Sequence, residues 1–304
     1  MRIILSVANI CLHDEFFNNG VLKMTKISFE VYPPRTVDPD GLNSLSDLVR
    51  VLRLALNPEF VSVTCGAGGF GSLATTESVD AILKTCPGLQ VVPHMVCNGR
   101  SVADIRNHLD YYIGQRGLSR VLALRGDNPS GVLGSGGELA YAIRLVELIR
   151  QTYTDLDIGA ACYPEKHVQA DSLRSDRTYF YEKVQAGVSY AITQYFFGLD
   201  SYFWFLDDCG KLGIDIPILP GIMLFSDFEK MRRMAKIHGV DIPRWLSARM
   251  EGYDPEDQAK IALDVVTNMC RVLIDRGVPY LHFFIMNNKN RVLDVCGRLG
   301  LTRE

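Results

Sequence analysis

Short apolar runs rich in β-branched and aromatic residues recur along the chain, and longer amphipathic stretches separate them. Runs of this kind predict β-strands, and the amphipathic stretches predict helices. The last interval is longer than the others and contains two amphipathic segments, at 226–249 and 256–277. The predicted strands are residues 27–31, 60–65, 90–97, 120–126, 157–163, 190–197, 216–224 and 280–286.

The helices between these strands carry recognisable end signals. In the predicted helix of residues 171–187, Asp171 or Ser172 is placed to cap the first turn, and Gly187 lies just past the end. Short polar side chains at the start and a glycine after the last turn are typical of helix boundaries.

Eight strand–helix repeats without an intervening linker predict one closed (β/α)8 barrel of the TIM-barrel type. We expect this barrel to span residues 26–304, with residues 1–25 as an N-terminal extension and extra helices before the last strand. A doubly wound open sheet is the alternative, but it usually has a glycine-rich first turn, and the first strand here is followed by Pro33 and Pro34. The glycine-rich segment 130–137 is only a weak signal for phosphate binding.

Composition narrows the class of protein. The chain has 304 residues, 47% hydrophobic and 22% charged, with a net charge of -3, which argues against a nucleic-acid-binding surface. No apolar run approaches the roughly 20 residues that span a bilayer. Eight cysteines are scattered without a CxxC motif, so we expect reduced thiols, no metal site and a cytoplasmic location.

Hydrogen-bonding side chains stand at the end of nearly every predicted strand. Each has an ordinary explanation by itself, as a strand cap, a turn former or, for Glu30, an exposed carboxylate on an edge strand. In a barrel, however, the carboxyl ends of the strands meet at one rim, where active sites lie. The residues are Glu30, Thr64, His94, Arg125, Asp127, Tyr163, His167, Gln194, Asn287 and Asn288.

The chemistry of this rim indicates the kind of ligand. Arg125, His167 and Lys183 offer cationic or donor groups that suit phosphate. Tyr163 and the aromatic run 195–197 offer faces that stack on conjugated rings. Together they predict a pocket for a large, partly phosphorylated aromatic cofactor.

Seven ordered motifs resemble the methylenetetrahydrofolate reductases and cover residues 26 to about 300. They are SFEVYPPRT, FVSVTCGAGG, VVPHMVC, LALRGDNP, CYPEKH, KVQAGVSYAITQYFF and PILPGIM. The resemblance implies a barrel that carries FAD and takes NADH or NADPH as reductant. By a ping-pong mechanism such an enzyme reduces 5,10-methylenetetrahydrofolate to 5-methyltetrahydrofolate, which feeds one-carbon metabolism and methionine synthesis. It also implies a homo-oligomer.

The same motifs imply roles for individual residues. Glu30 and Asp127 match the catalytic acid and the aspartate between flavin and pterin, and Gln194 matches an amide that meets folate and nicotinamide. Substrate contacts are expected at Asp127, Gln194, Lys230, Met234 and Asn288. FAD contacts are expected at Thr64, Cys65, Ala67, His94, Arg125, Gly126, Asp127, Tyr141, Ala142, Tyr163, His167, Asp176 and Lys183.

Four positions depart from the family pattern. Cys65 stands where many members have Tyr, Lys230 where Gln is frequent, and Met234 where Phe is frequent. Asn288 stands where the family has Arg, so a partner of the folate carboxylate is lost unless Lys289 or Arg291 takes its place.

Three alternatives remain on the sequence alone. A flavin-free reductase of the same substrate would be colourless when purified. A folate-dependent methyltransferase barrel would usually need clustered zinc-binding cysteines, which the chain does not have. A barrel that binds folate without catalysis would retain FAD and lack activity.

Overall fold

The structure is a computed structural model that describes residues 25–66, 71–126 and 138–303. Its strands belong to one sheet in which every pairing is parallel. They are β1 (Lys26–Val31), β2 (Phe60–Val63), β3 (Val91–Val96), β4 (Arg120–Leu124), β5 (Asp157–Cys162), β6 (Tyr190–Thr193), β7 (Ile218–Leu219), β8 (Gly221–Met223) and β9 (Tyr280–Phe284).

The sheet closes on itself around an interior core. β1 pairs with β2 on one side and with β9 on the other, while β9 pairs with β8 and β6 pairs with β7. Only Pro220 separates β7 from β8, so these two short strands together fill the seventh position of an eight-strand barrel. The predicted barrel is therefore confirmed, and the alternative of an open sheet is wrong.

The predicted strand at 216–224 is divided in two because proline has no N–H to donate to the ladder. Around Pro220, the barrel closes through hydrogen bonds of the Pro220 carbonyl and of the neighbouring Gly221. The carbonyl of Pro220 accepts a hydrogen bond from the backbone N–H of His282 at 3.0 Å. The N–H of Gly221 donates to Oγ1 of Thr193 at 2.8 Å.

Glycine is required at position 221 by close approach. A Cβ built there would lie 2.2 Å from the carbonyl oxygen of Thr193 and 2.6 Å from the ring of Phe284. Real Cβ atoms do not tolerate such contacts, and the first is to backbone, which cannot move aside. A side chain at this position would push β6 and β9 away from the closure.

Helices surround the sheet and connect its strands. One predicted segment, 226–249, is two helices rather than one, because Gly239 has a left-handed φ of 68° and Pro243 precedes the second helix. Residues Asp110–Gln115 form a π-helical turn after α3. The helices are α1 (Pro39–Leu56), α2 (Gly71–Thr85), α3 (Val102–Leu109), α4 (Ala142–Thr152), α5 (Leu173–Gln185), α6 (Leu199–Lys211), α7 (Phe228–His238), α8 (Arg244–Met250), α9 (Pro255–Asp275) and α10 (Lys289–Arg298).

Local capping chemistry sets several helix starts. Asp38 Oδ1 accepts from the N–H of Gly41 at 2.8 Å, and the proline at position 39 suits the first turn of α1. At α5, Ser172 Oγ accepts from the N–H of Ser175 at 3.1 Å, so Ser172 is the predicted cap.

Two apolar layers hold the barrel together. The outward faces of the strands pack against buried helix residues such as Val49, Leu52 and Leu145. The inward faces form a separate interior cluster of Phe60, Val92, Leu122, Tyr190, Ile192 and Leu219. Successive strand residues point to opposite faces, so strands such as β2, β3 and β4 contribute to both layers. The interior is a packed core, and ligands must bind at a rim.

Among the described residues, no helix has the length and apolar character needed to cross a membrane, and no cluster of potential metal ligands is found. The described cysteines are free thiols. Cys65 is partly exposed, and the others are buried, which suits their predicted role as small apolar side chains.

Candidate active site

The strand-end residues singled out from the sequence lie at one face of the barrel. Because all strands are parallel, their carboxyl ends share one rim. Glu30 and His94 project from β1 and β3, and Gln194 directly follows β6. The structure thus brings these predicted site residues to one end of the molecule. Ala67 and Asp127 lie outside the described residues, and their predicted roles stay predictions.

Glu30 and His94 form the buried centre of this rim. Glu30 is 9% exposed and His94 is 7% exposed. Oε2 of Glu30 lies 3.4 Å from Nε2 of His94, although the orientation does not make a hydrogen bond. Glu30 is therefore not an exposed carboxylate on an edge strand. It is an acid held on a rigid strand within the barrel.

Burial pushes both groups toward their uncharged forms. Desolvation raises the pKa of Glu30 to about 8 and lowers the pKa of His94 to about 3. Removing a charge from water disfavours the ionised form of either residue. At neutral pH the pair is consequently a protonated acid beside a neutral imidazole, not an ion pair. A carboxylic acid in this state can donate a proton near pH 7.

A second polar layer lies beneath this pair, inside the barrel. Ser28 Oγ is 2.8 Å from Nδ1 of His282, and the two residues face each other in the β1–β9 register. Burial and the nearby His94 lower the pKa of His282 to about 3. Nε2 of His282 and Oγ of Ser62 have no hydrogen-bond partner among the described residues. Such unsatisfied buried groups are typical of functional sites or water positions.

Sequence reasoning missed Ser28 and His282. A signal existed for Ser28, which stands two residues before Glu30 and therefore on the same face of β1. His282 had none, since only the pairing of β1 with β9 sets it opposite Ser28.

Gly126, just after β4, allows the chain to turn at the rim. Its φ is 87°, in the left-handed region that favours glycine. A Cβ at this position would lie 2.1 Å from Cγ1 of Val96 on β3. The neighbouring Arg125 is fixed through its carbonyl, which accepts from the N–H of Asn98 at 2.8 Å. Glycine is therefore required at position 126 both by its backbone conformation and by the close packing of Val96.

The start of α4 offers another ligand-binding feature. Tyr141 occupies the position before the helix, and its side chain makes no capping hydrogen bond. Its ring is 63% exposed. Ala142 is the first residue of α4. The first N–H groups of a helix attract anions when no side chain caps them.

Tyr163, His167 and Asp176 are brought together between β5 and α5. The rings of Tyr163 and His167 meet edge to face with centroids 4.6 Å apart. The carboxylate of Asp176 accepts from the backbone N–H of His167, although burial, the stronger effect, raises its pKa. Three predicted FAD contacts from separate parts of the sequence thus form one group.

Arg177, which sequence reasoning missed, anchors this group. It is 7% exposed, and Nη1 and Nη2 donate to the carbonyls of Tyr163 and Pro164, each at 2.8 Å. Nη1 lies 3.3 Å from Oδ2 of Asp176. Its guanidinium also lies 4.5 Å from the ring centre of Phe205. Arg177 fixes the loop after β5 and orients Asp176.

Lys183 reaches back from the last turn of α5 toward β5. Its Nζ donates to the carbonyl of Ala161 at 2.6 Å. Burial lowers its pKa, while Cys162 and Asp176 act against that shift. An ammonium group has three donors, so one bond to a carbonyl leaves capacity for a ligand oxygen.

Thr64 and Cys65 follow β2 and are held by different partners. The carbonyl of Thr64 accepts from Oγ1 of Thr75 at 2.9 Å. Sγ of Cys65 accepts from Nη2 of Arg100 at 3.2 Å, and Arg100 is itself buried. No sequence motif pointed to Arg100.

The residues predicted to contact the substrate differ from one another in burial and in hydrogen bonding. Gln194 is partly buried, and its Oε1 accepts from the N–H of Tyr195 at 3.1 Å. Lys230 is exposed in the first turn of α7, whereas Met234 packs partly against the main core. Asn288 caps α10 by accepting from the N–H of Arg291 at 3.3 Å.

Asn287 links two segments of the rim through its side-chain amide. Its Nδ2 donates to the carbonyl of Tyr32 at 2.8 Å, and its Oδ1 accepts from the N–H of Tyr32 at 2.9 Å. This pair of bonds joins the segment after β9 to the segment after β1. Its φ of 53° is left-handed, a conformation that Asn tolerates better than most residues.

The closed α/β barrel and the buried carboxylic acid at its carboxyl rim define the class of protein. It is an α/β barrel whose site resembles those of enzymes. The fold is shared with a solved structure, an uncharacterized protein from Clostridium thermocellum that binds two copies of 5-methyl-5,6,7,8-tetrahydrofolic acid. The TM-score is 0.63 at 16% identity, covering 90% of this chain and 96% of that one. At this identity the likeness shows the fold alone.

Sequence comparison identifies the family. The methylenetetrahydrofolate reductase family model matches residues 18–300. The 5,10-methylenetetrahydrofolate reductases of Salmonella typhimurium and Escherichia coli are 36% and 35% identical over 280 residues, covering 90% of this chain and 90% of each relative. Methylenetetrahydrofolate reductase (NADH) 1 of Arabidopsis thaliana is 34% identical, covering 92% of this chain and 49% of the relative. The chain belongs to the methylenetetrahydrofolate reductase family, which confirms the resemblance seen in the motifs.

Proposed function

We propose that this protein reduces 5,10-methylenetetrahydrofolate to 5-methyltetrahydrofolate with NADH or NADPH, by a ping-pong mechanism through bound FAD. Its product would feed one-carbon metabolism and methionine synthesis. Family membership supports the reaction class, and a relative named for NADH supports a nicotinamide reductant. One observation carries the proposal to this chain: Glu30, an acid that burial keeps protonated near neutral pH at the carboxyl end of β1.

Glu30 supplies the proton that the reaction needs. The five-membered ring of the substrate must open before hydride is added, and opening requires protonation of the departing nitrogen. A carboxylic acid whose pKa lies near the working pH is suited to this transfer. The neutral imidazole of His94, 3.4 Å away, keeps a polar group beside Glu30 without drawing its proton off as an imidazolium. Asp127, by resemblance, hydrogen-bonds the pterin edge.

The residues present fit FAD. The uncapped start of α4 at Tyr141 and Ala142 and the cation of Lys183 would offer donors for a pyrophosphate, and Gly126 is a contact by the resemblance alone. Tyr163 offers a ring for stacking or edge contact. Bound FAD would supply the hydride-carrying chemistry between the nicotinamide and the folate. The chain's own residues bind, orient and protonate.

The substrate side of the proposal concerns Gln194, Lys230 and Met234. Gln194 would hydrogen-bond the folate or the nicotinamide in turn. The exposed Lys230 and the partly buried Met234 on α7 would tune the affinity for either one.

Colour and half-reactions test the proposal. The purified protein should be yellow, with flavin absorption that NADH or NADPH removes without oxygen and 5,10-methylenetetrahydrofolate restores. A colourless protein that still reduces the folate would favour the flavin-free alternative. A yellow protein that NAD(P)H bleaches, but that the folate does not reoxidise, would contradict the proposed substrate.

A further inference from the structure

A cavity of about 270 Å³ lies at the edge of the rim, between the starts of α9 and α10. Its apolar wall includes Leu224, Phe225 and Leu263, and Arg291 lines it as well. Helix α9 leads into the amino end of β9, so its first turns lie at the opposite, carboxyl face of the barrel. Only four residues separate the end of β9 from the start of helix α10, which therefore starts at that same face.

The register relates this cavity to Glu30. Glu30 on β1 is level with Phe284 on β9, and Phe284 is level with Met223 on β8. Ser226, at the cavity, is three residues beyond that level. Leu224, which also lines the cavity, is only one residue beyond that level, so the cavity begins just past the level of the acid and two strands to the side, on the order of 10 Å away at about 4.8 Å per strand.

Arg291 is the distinctive group in this cavity. Its Nη2 donates to Oγ of Ser226. None of the ion pairs among the described residues includes Arg291. Burial lowers the pKa of the guanidinium, and within the described part of the chain its side-chain hydrogen bond goes to the hydroxyl of Ser226. A partly desolvated guanidinium favours a carboxylate or phosphate partner.

The second cation of the cavity is already neutralised. Nζ of Lys260 lies 3.0 Å from Glu256 and 3.1 Å from Asp257. Asp294, one turn after Arg291, also lines the cavity but makes no ion pair with it among the described contacts. The cation that can still pair with an anion is therefore the guanidinium of Arg291, at the Ser226 end of the cavity, which is the end nearer the rim.

We propose that Arg291 binds the glutamate carboxylate of the folate substrate, with Ser226 orienting the guanidinium and the apolar wall contacting the tail. The inference rests on the proposed function and names a specificity residue for it. Asn288, the family's position for a folate-carboxylate partner, here caps α10 and carries no charge. Arg291 is one turn further along that helix.

A substrate without the tail provides the test. With 5,10-methylenetetrahydrofolate, Arg291→Gln should raise KM by about tenfold or more while kcat changes little, since a charged hydrogen bond is lost. With 5,10-methylenetetrahydropteroate, which has no glutamate, wild type and Arg291→Gln should have equal KM. Arg291→Lys should recover part of the affinity for the complete substrate. Circular dichroism confirms that each variant is folded.

Arg298→Gln is the matched control, since it removes an exposed cation near the far end of the same helix, where it pairs with Asp264; its KM should stay near wild type. An unchanged KM in Arg291→Gln, or an equal rise with both substrates, would overturn the assignment. If wild type reduces neither compound, the proposed function fails, and equilibrium binding of 5-methyltetrahydrofolate and 5-methyltetrahydropteroate decides. If wild type prefers the glutamate form and Arg291→Gln abolishes that preference, the role of Arg291 is supported. If wild type binds both forms equally, the role of Arg291 is rejected.

Discussion

Two buried pairs of ionisable residues, at nearly the same separation, differ in the groups that surround them. Glu30 and His94 lie 3.4 Å apart at the centre of the barrel rim, and Asp176 and Arg177 lie 3.3 Å apart beside β5. The first pair is driven to its neutral forms, because burial raises the pKa of the acid and lowers that of the imidazole. In the second pair, burial also raises the pKa of Asp176, but the charges of Arg177 and Lys183 act against that shift.

The surroundings explain the difference. Arg177 donates to two backbone carbonyls, lies 3.4 Å from the carboxylate of Asp208 and stands over the ring of Phe205. These contacts replace the water that the guanidinium has lost. Around Glu30, burial raises the pKa, and no cation among the described residues is found to act against that shift. A buried pair with ionic and hydrogen-bonding partners anchors structure, whereas a pair without them holds a protonated acid.

The largest expected effect comes from removing the proton of the neutral pair. Glu30→Gln should lower the rate of folate reduction about 10²- to 10⁴-fold, because a positioned general acid contributes that much. Reduction of FAD by NAD(P)H needs no proton on the folate and should stay within a few-fold of wild type. Stopped-flow measurement of the two half-reactions checks this.

Glutamine is close in shape to glutamate, so FAD content should not change. Equal losses in both half-reactions would point to disturbed flavin geometry instead. Unimpaired folate turnover would remove Glu30 from the mechanism.

Breaking the compensated pair should destabilise the fold. Arg177→Met leaves the buried carboxylate of Asp176 without its partner and frees two carbonyls, a change that typically costs about 3–5 kcal/mol. Urea denaturation measures the free energy of unfolding. Arg174→Met, at an exposed position of the same helix, is the control and should change it by about 0.5 kcal/mol at most. Equal stability of the two variants would show that Arg177 does not anchor the loop.

The neutral pair should make stability depend on pH. The pKa of Glu30 is about 8 in the folded protein and 4.5 when unfolded. The unfolded chain therefore releases this proton first, and wild type loses stability as pH rises from 4.5 to 8. Glu30→Gln lacks that loss, so at pH 8 it should exceed wild type by a few kcal/mol, and near pH 4.5 by little.

Urea denaturation at the two pH values, with equal flavin content, measures the difference. The exposed Glu182, changed to Gln, should show no such trend. A constant gap between Glu30→Gln and wild type at both pH values would contradict the raised pKa.

The smallest of these effects concerns cofactor retention on the side of the pair of Asp176 and Arg177. Lys183→Met should weaken FAD binding about tenfold, since it removes one charged donor near the predicted pyrophosphate. The barrel should stay folded, because the aliphatic stem is kept. Measuring the Kd of FAD after removal and readdition checks this, with the exposed Lys211→Met as control. Retention equal to wild type would reject the placement of Lys183.

Much of the fold was predictable because the relevant signals are local. Every predicted strand exists, and the cap of α5 is Ser172, one of the two residues proposed. A proline within a predicted strand indicates a break, so the division at Pro220 could be predicted from the sequence. The hydrogen bonds from Gly221 to Thr193 and from His282 to Pro220 could not, because they form only when the barrel closes.

The sequence by itself determined the barrel, the family and the list of rim residues, because strand periodicity, helix caps and contiguous motifs depend on neighbours along the chain. The tertiary structure alone decided the state of Glu30, the partnership of Ser28 with His282, the anchoring by Arg177 and the position of Arg291. These properties depend on burial and on contacts between residues far apart in sequence. Desolvation and distance arise only when the strands close into a barrel.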